Sequence, residues 1–375
     1  MIVFLWCLYI LSAFVRLLWW FLFRVMTRFR IPIKSSYYGK EKLGISVVVC
    51  AHNNQAGLEK LLPLLTTQQG VLFEIVIVND RSTDLTDSWL AEQQRHFATL
   101  TVVTIKDTPA NWNAKKYALT QGIKATQYPL LALTDSDCLP LSDQWLAHLE
   151  ERLRGSNKNI FLGYSPYQEQ PGLLNKIIQT ETLFTALQYM SMANSGHTYM
   201  GVGRNLGYRK SFIAEHLDHF PFQNHMGGDD DLLINQLSNG SDAVSSFEPE
   251  SFVLTFPPKG FKAWWKQKRR HLSAGLQYKL ATRALLGTYW LSATFFWLLF
   301  GILSGISLAN GELPLVLLVV HLFFFMVGTV LLYPIFRIFK AGSLIRLFLF
   351  WDFLYIASSS IIGFSTFLVK NKKWS

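Results

Sequence analysis

The sequence predicts an α/β protein with a mixed, mainly parallel sheet flanked by helices, and with apolar helices at both ends of the chain. Three observations carry that prediction. Short β-branched runs alternate with stretches of helical spacing through the middle of the 375 residues, the pattern of a largely parallel sheet covered by helices. Several of those runs end in Asn or Asp, at the strand ends where open sheets bind ligands. The apolar residues, 50% of the chain against 16% charged, pile up in residues 2–23 and from about 288 to 369.

The N-terminal run is long enough for a hydrocarbon core of about 30 Å, which takes roughly 20 helical residues. Arg16 interrupts it. The run lacks a basic start and a small-residue cleavage site, and Trp19, Trp20 and Phe21 suit an interfacial position, so residues 1–30 are expected to be a retained anchor. Residues 288–309 and 313–333 read as two spans joined by Asn310, Gly311 and Glu312. A third run, 347–369, contains Asp352, and an ionisable group in lipid must face protein or water. Region 285–375 is therefore expected to hold two or three membrane helices.

Arg24, Arg28, Arg30 and Lys34 follow the first run, while Lys279 and Arg283 precede the second. Positive flanks mark the cytoplasmic side, which predicts a multi-pass protein of the inner cell membrane with its central domain, residues 40–280, in the cytoplasm. Lys370, Lys372 and Lys373 would then lie outside if the last run crosses, which leaves a re-entrant segment open as the other reading. The net charge of +10 clusters beside the apolar runs and at Lys262, Lys266, Lys268, Arg269 and Arg270. That placement favours membrane lipid or a phosphate-bearing substrate over nucleic acid. Cys7, Cys50 and Cys138 offer neither metal spacing nor a disulfide framework.

In the centre, ISVVVC (45–50) leads to Ala51, His52, Asn53 and Asn54, and a helix is expected around Leu58, Leu61, Leu62 and Leu65. FEIVIVND ends at Asp80, LTVVTI ends near Lys106, a helix runs from about Asn113 to Ala125, and PLLALTD ends at Asp135. No G-x-G-x-x-G or Walker loop is present, which counts against dinucleotide and ATPase chemistry.

Asp135 and Asp137 stand two residues apart just after a strand, where both carboxylates could turn toward one hard cation; a solvated acid pair or a helix cap is the alternative. Asp229, Asp230 and Asp231 precede a helix-like LLINQL. Capping accounts for one or two of them, but three adjacent acids repel, so one is expected to have a cationic partner or a proton to handle. Gln267 to His271 follow two tryptophans and offer phosphate donors, or form a juxtamembrane basic helix. Gly201, Gly203, Arg204 and Asn205 form a loop before a strand, where glycine lets backbone approach a ligand.

In order, AHN, VNDRSTD, KKYAL, TDSD, GRNLGYR, GDDDL and QKRRH resemble glycosyltransferase family 2, over roughly residues 44–275. The resemblance implies a GT-A fold, a nucleotide-sugar donor, usually UDP-linked, and Mg²⁺ or Mn²⁺. It places Ala51, Asn53, Asp80, Lys115 and Asp135 at the donor, with Asp80 on the base, and makes Asp137 the metal ligand. It makes Asp229 the catalytic base, and puts Asp231, Gly203, Asn205, Gln267 and Arg270 toward the acceptor or the diphosphate. The expected reaction is inverting transfer to a lipid-linked or membrane-proximal glycan acceptor, as in building cell-envelope polysaccharide, with an export or polymerase protein as a candidate partner.

Two departures stand out. Gly228 replaces a common family Glu, and His271 replaces the Trp that processive synthases carry after Q-x-x-R, so single-sugar transfer is favoured over polymer synthesis. A nucleotidyltransferase would need a Gly-rich basic loop after the first strand, which AHNNQAGLEK is not. A transporter or scaffold would not need this ordered set of acids.

Overall fold

The computed structural model describes residues 2–28, 42–218 and 230–368. It divides into two compact units. One holds residues 30–168 and 192–258, and the other holds 1–29, 169–191 and 259–375.

The first unit is built on a seven-stranded sheet. After helix α1 (Ile2–Met26), which belongs to the second unit, come β1 (Ile45–Ala51), α2 (Gln55–Thr66), β2 (Phe73–Asp80), α3 (Thr86–His96) and β3 (Leu100–Ile105). Then follow α4 (Ala114–Lys124), β4 (Leu130–Asp135), β5 (Cys138–Pro140), α5 (Trp145–Gly155) and β6 (Ile160–Leu162). Beyond α6 (Leu173–Asn194) lie β7 (Leu206–Arg209), α7 (Lys210–Ala214), α8 (Asp231–Leu237), β8 (Ala243–Ser245) and β9 (Val253–Thr255). The strand order is β3-β2-β1-β4-β7-β6-β8, with β5 and β9 forming a separate ribbon. β3, β2, β1 and β4 run parallel, and β7 is antiparallel to β4 and to β6. The expected mixed, mainly parallel sheet is the one formed.

Strands covered on both faces read as continuous β-branched runs, and β1 and β2 are of that kind. Ile45, Val47, Val49, Ile75 and Ile77 pack with Leu58, Leu61, Leu62 and Leu65 of α2, while Val78 faces the opposite way toward Ala118 of α4. The register puts Cys50 beside Asp135 and Ala51 beside Asn79. The carboxyl ends of β1, β2 and β4 therefore finish at one level, which is what brings their polar residues together.

The second unit contains α9 (Phe261–Gly275), α10 (Leu280–Ala309), α11 (Leu315–Ile338), α12 (Gly342–Ile345) and α13 (Phe348–Leu368), with α1 and most of α6. Four of these helices, α1, α10, α11 and α13, are long and apolar enough to cross a membrane. The two charges that interrupt the apolar runs meet each other: Arg16 donates from Nη2 to Asp352 Oδ1 at 2.6 Å, and both side chains are buried. Trp297 Nε1 occupies the other oxygen of Asp352 at 2.8 Å. The Arg16 guanidinium also lies 4.9 Å from the Trp20 ring and 5.1 Å from Phe296. A charge in an apolar unit persists only when paired and hydrogen-bonded, and here α1 and α13 supply the pair from opposite ends of the chain. Gly328 makes room for Trp20: a Cβ there would sit 2.1 Å from its ring.

Candidate active site

β1 ends in a turn that Asn53 closes. Its backbone is left-handed (φ 49°), a conformation Asn tolerates better than most residues, and its Oδ1 accepts from Thr83 N (2.7 Å) and Asp84 N (3.3 Å). This clamp joins the loops after β1 and β2. His52 Nδ1 reaches the Asp80 carbonyl at 2.5 Å and adds a second tie. Ala51 is buried beneath them. Asp80 itself is buried, and Arg81, also left-handed, covers it with Nε to Oδ1 at 2.8 Å and Nη2 to Oδ2 at 3.2 Å. That covering fork is not legible in the sequence, since only the fold shows which way residue 81 turns.

The Asp135–Asp137 turn follows β4. Asn54 Nδ2 donates to Ser136 Oγ at 2.8 Å, and α2 approaches so closely that a Cβ on Gly57 would lie 2.5 Å from the Ser136 carbonyl. Lys115 stands in the first turn of α4, where Asn113 caps the helix by accepting from Lys115 N (3.1 Å). Its ammonium reaches Asp135 Oδ1 at 3.1 Å, so the expected lysine and acid meet.

Asp135, Asp137 and Cys138 each bring one ligand atom within 4.8 Å of the others. The Asp137 carboxyl reaches solvent yet is ringed by protein; that burial first, and then the Asp135 charge, raise its pKa. Burial likewise pushes the Cys138 thiol up, with Asp135 adding to it, so the thiol stays protonated and is a poor ligand for a soft metal. What remains is a pair of carboxylates two residues apart, partly neutralised by one lysine, a donor set that fits a hard cation such as Mg²⁺ or Mn²⁺.

The loop before β7, the strand paired antiparallel with β4, carries the next group. Residues Gly203–Asn205 make a 3₁₀ turn, and Gly203 N donates to Asp230 Oδ2 at 2.6 Å. Asp230 also accepts from Asp231 N through Oδ1 (2.8 Å), capping α8, and buried Asp231 accepts from Leu232 N (2.8 Å). Capping thus accounts for two of the three acids. Asp229, expected as the base, lies outside the described residues.

One expectation needs correcting. Asn205 is fully buried: its Oδ1 accepts from Trp145 Nε1 at 3.0 Å, and its Nδ2 donates to the carbonyls of Tyr164 and Ser251, each at 2.8 Å. Both of its N–H donors are in use, so it ties the turn to the sheet rather than facing an acceptor. Gln267 and the exposed Arg270 lie on α9, in the other unit.

The arrangement has counterparts among known proteins. The family model Glycosyl transferase family 2 matches residues 46–217, and Glycosyl transferase family group 2 matches 162–335, so the two together run from residue 46 to residue 335. The probable glycosyltransferase YdaM of Bacillus subtilis is 22% identical over 76% of this chain and 73% of its own length. The 4,4'-diaponeurosporenoate glycosyltransferase of Staphylococcus haemolyticus is 24% identical over 66% of each chain. In fold, the mannosyltransferase PcManGT of Pyrobaculum calidifontis, solved with GDP-Man and Mn²⁺, superposes with a TM-score of 0.63 at 15% identity, covering 97% of this chain and 98% of its own.

Proposed function

Because the chain belongs to glycosyltransferase family 2, we propose that it moves a sugar from a UDP-sugar to a lipid-linked or membrane-proximal glycan acceptor, inverting the anomeric carbon. The observation that supports this reading best is the convergence of the Asn53 clamp, Asp80 and the Lys115–Asp135–Asp137 group at one end of β1, β2 and β4. That edge offers a place for a base, then a diphosphate, in the order a nucleotide-sugar presents them.

In this reading Asp137, with Asp135, holds Mg²⁺ or Mn²⁺, which when bound supplies positive charge to the departing diphosphate. Lys115 orients Asp135. Arg81 turns aside from Asp80 so that the carboxylate can accept from the base. Asp229 takes the proton of the attacking hydroxyl, while Asp230 and Asp231, engaged by backbone amides, hold the start of α8. The four apolar helices confine the enzyme beside a membrane acceptor, with the catalytic unit on the cytoplasmic side. A GDP-sugar is the second reading, because the fold relative PcManGT holds GDP-Man.

The test is transfer and donor hydrolysis by the detergent-purified chain with a panel of UDP-, GDP- and dTDP-sugars, with and without Mn²⁺. One UDP-sugar should turn over only with the metal, and Asp137→Ala and Asp229→Asn should each lower that turnover by about 100-fold or more. A folded sample that binds no nucleotide-sugar would overturn the assignment.

A further inference from the structure

Arg204 stands beside this site, and among the described residues it uses one of its donors. It occupies the 3₁₀ turn between Gly203, which is tied to Asp230, and Asn205, which is anchored in the sheet, so its backbone is fixed on both sides. Its guanidinium lies over the Tyr167 ring at 4.9 Å and donates from Nη1 to a hydroxyl, Tyr167 Oη, at 2.9 Å. That is one bond from five N–H groups, and it goes to a neutral partner. Nε is sealed from solvent with no acceptor.

The neighbouring strands give its place. Thr255 pairs with Cys138 on one side and bridges to Tyr167 on the other. Tyr167 thus stands two strand spacings, roughly 10 Å, from the end of the Asp135–Asp137 turn. Arg204 feels those groups: burial works against its charge, yet its pKa lies above the ordinary arginine value, and the ionised neighbour among the causes is Asp135. Among the described residues it forms no ion pair, neither with Asp135 or Asp137 nor with Asp230, which is held by the amide of the preceding Gly203. A part-buried arginine that is held in place and has no anion among the described residues is suited to receive one.

We propose that Arg204 binds a phosphate oxygen of the donor's diphosphate, gripping the leaving group from the side of the Gly203–Asn205 turn. The inference rests on the glycosyltransferase reading and adds to it a residue that reads the second phosphate. Stacking on Tyr167 fixes the plane of the fork, which a lysine could not reproduce.

The experiment is calorimetric titration of the full-length protein in detergent with UDP, UMP, GDP and GMP, each with Mn²⁺ and again with EDTA. Binding of a nucleoside diphosphate to the unaltered protein tests the functional reading itself; its absence sinks that reading before Arg204 is questioned. Given binding, Arg204→Met should weaken the diphosphate about 10- to 100-fold, while the matching monophosphate changes by less than about twofold. The loss should persist in EDTA, and Arg204→Lys should recover only part of it. Should Arg204→Met fail to fold, Tyr167→Phe, which keeps the ring and removes the hydroxyl, should weaken the diphosphate alone by about threefold. Equal losses of mono- and diphosphate would overturn the proposal. So would intact diphosphate binding with a raised KM for a phosphate-bearing acceptor, which would give Arg204 to the acceptor.

Discussion

Each unit of this protein sets an arginine against aromatic rings, Arg16 fully buried and Arg204 partly so, and the two are treated in opposite ways. In the helical unit Arg16 meets Asp352, whose second oxygen is taken by Trp297, and aromatic rings pack against the guanidinium. In the α/β unit Arg204 has a phenol and a ring but, among the described residues, no carboxylate of its own, although acids stand close by. A matched buried charge joins distant parts of a chain; an unmatched one waits for a ligand. The difference teaches that burial alone does not mark a functional charge. What marks it is the set of partners the fold withholds.

The largest test of that contrast concerns the acid pair beside Arg204. Asp137→Ala should lower sugar transfer by about 10²–10³-fold while leaving the thermal melting curve nearly unmoved, because the carboxylate supports no packing. Full stability with full activity would remove Asp137 from the chemistry. At Arg16 the balance should reverse. Asp352→Leu should cost about 3–5 kcal/mol in detergent unfolding by leaving a buried charge unpaired, and the double change Arg16→Leu with Asp352→Leu should recover much of the loss. Additive losses would show that the pair is not the joint between α1 and α13.

Chelation sharpens the comparison from the ligand side. EDTA should abolish transfer and leave the melting of the helical unit unchanged, as followed by its tryptophan fluorescence, since the carboxylate donor set lies wholly in the α/β unit. The smallest effect is expected at a cap. Asn113→Ala should cost about 1 kcal/mol of stability, and it should raise the donor KM by loosening the turn that carries Lys115. A stability loss with no change in KM would separate Lys115 from the donor.

How much of this was legible in the sequence follows from which interactions are local. The apolar runs 45–50, 73–80 and 129–135 announce their strands because a strand buried on both faces takes a continuous apolar composition, while the β-branched run 100–105 marks the part-exposed edge strand β3. Asn113 before KKYAL announces a cap for the same local reason. The acids at 135, 137 and 229–231 were visible as motifs, and their order along the chain gave the family. Asn205 was expected toward the acceptor or the diphosphate from its loop, yet three long-range bonds take it into the core.

By itself the sequence determined the four parallel strands, the apolar ends and the order of the motifs, because hydrophobic period acts over a few residues. Only the tertiary structure decided which charges are answered. Arg16 interrupts an apolar helix until Asp352, 336 positions away, arrives to pair with it. Arg81 folds back on Asp80 through a left-handed backbone that composition does not dictate. Arg204 faces a tyrosine and not a carboxylate because β5, β9 and the segment at Tyr167 come together there. Electrostatic matching depends on distances of a few ångströms between residues far apart in the chain, and those distances exist only after the chain has folded.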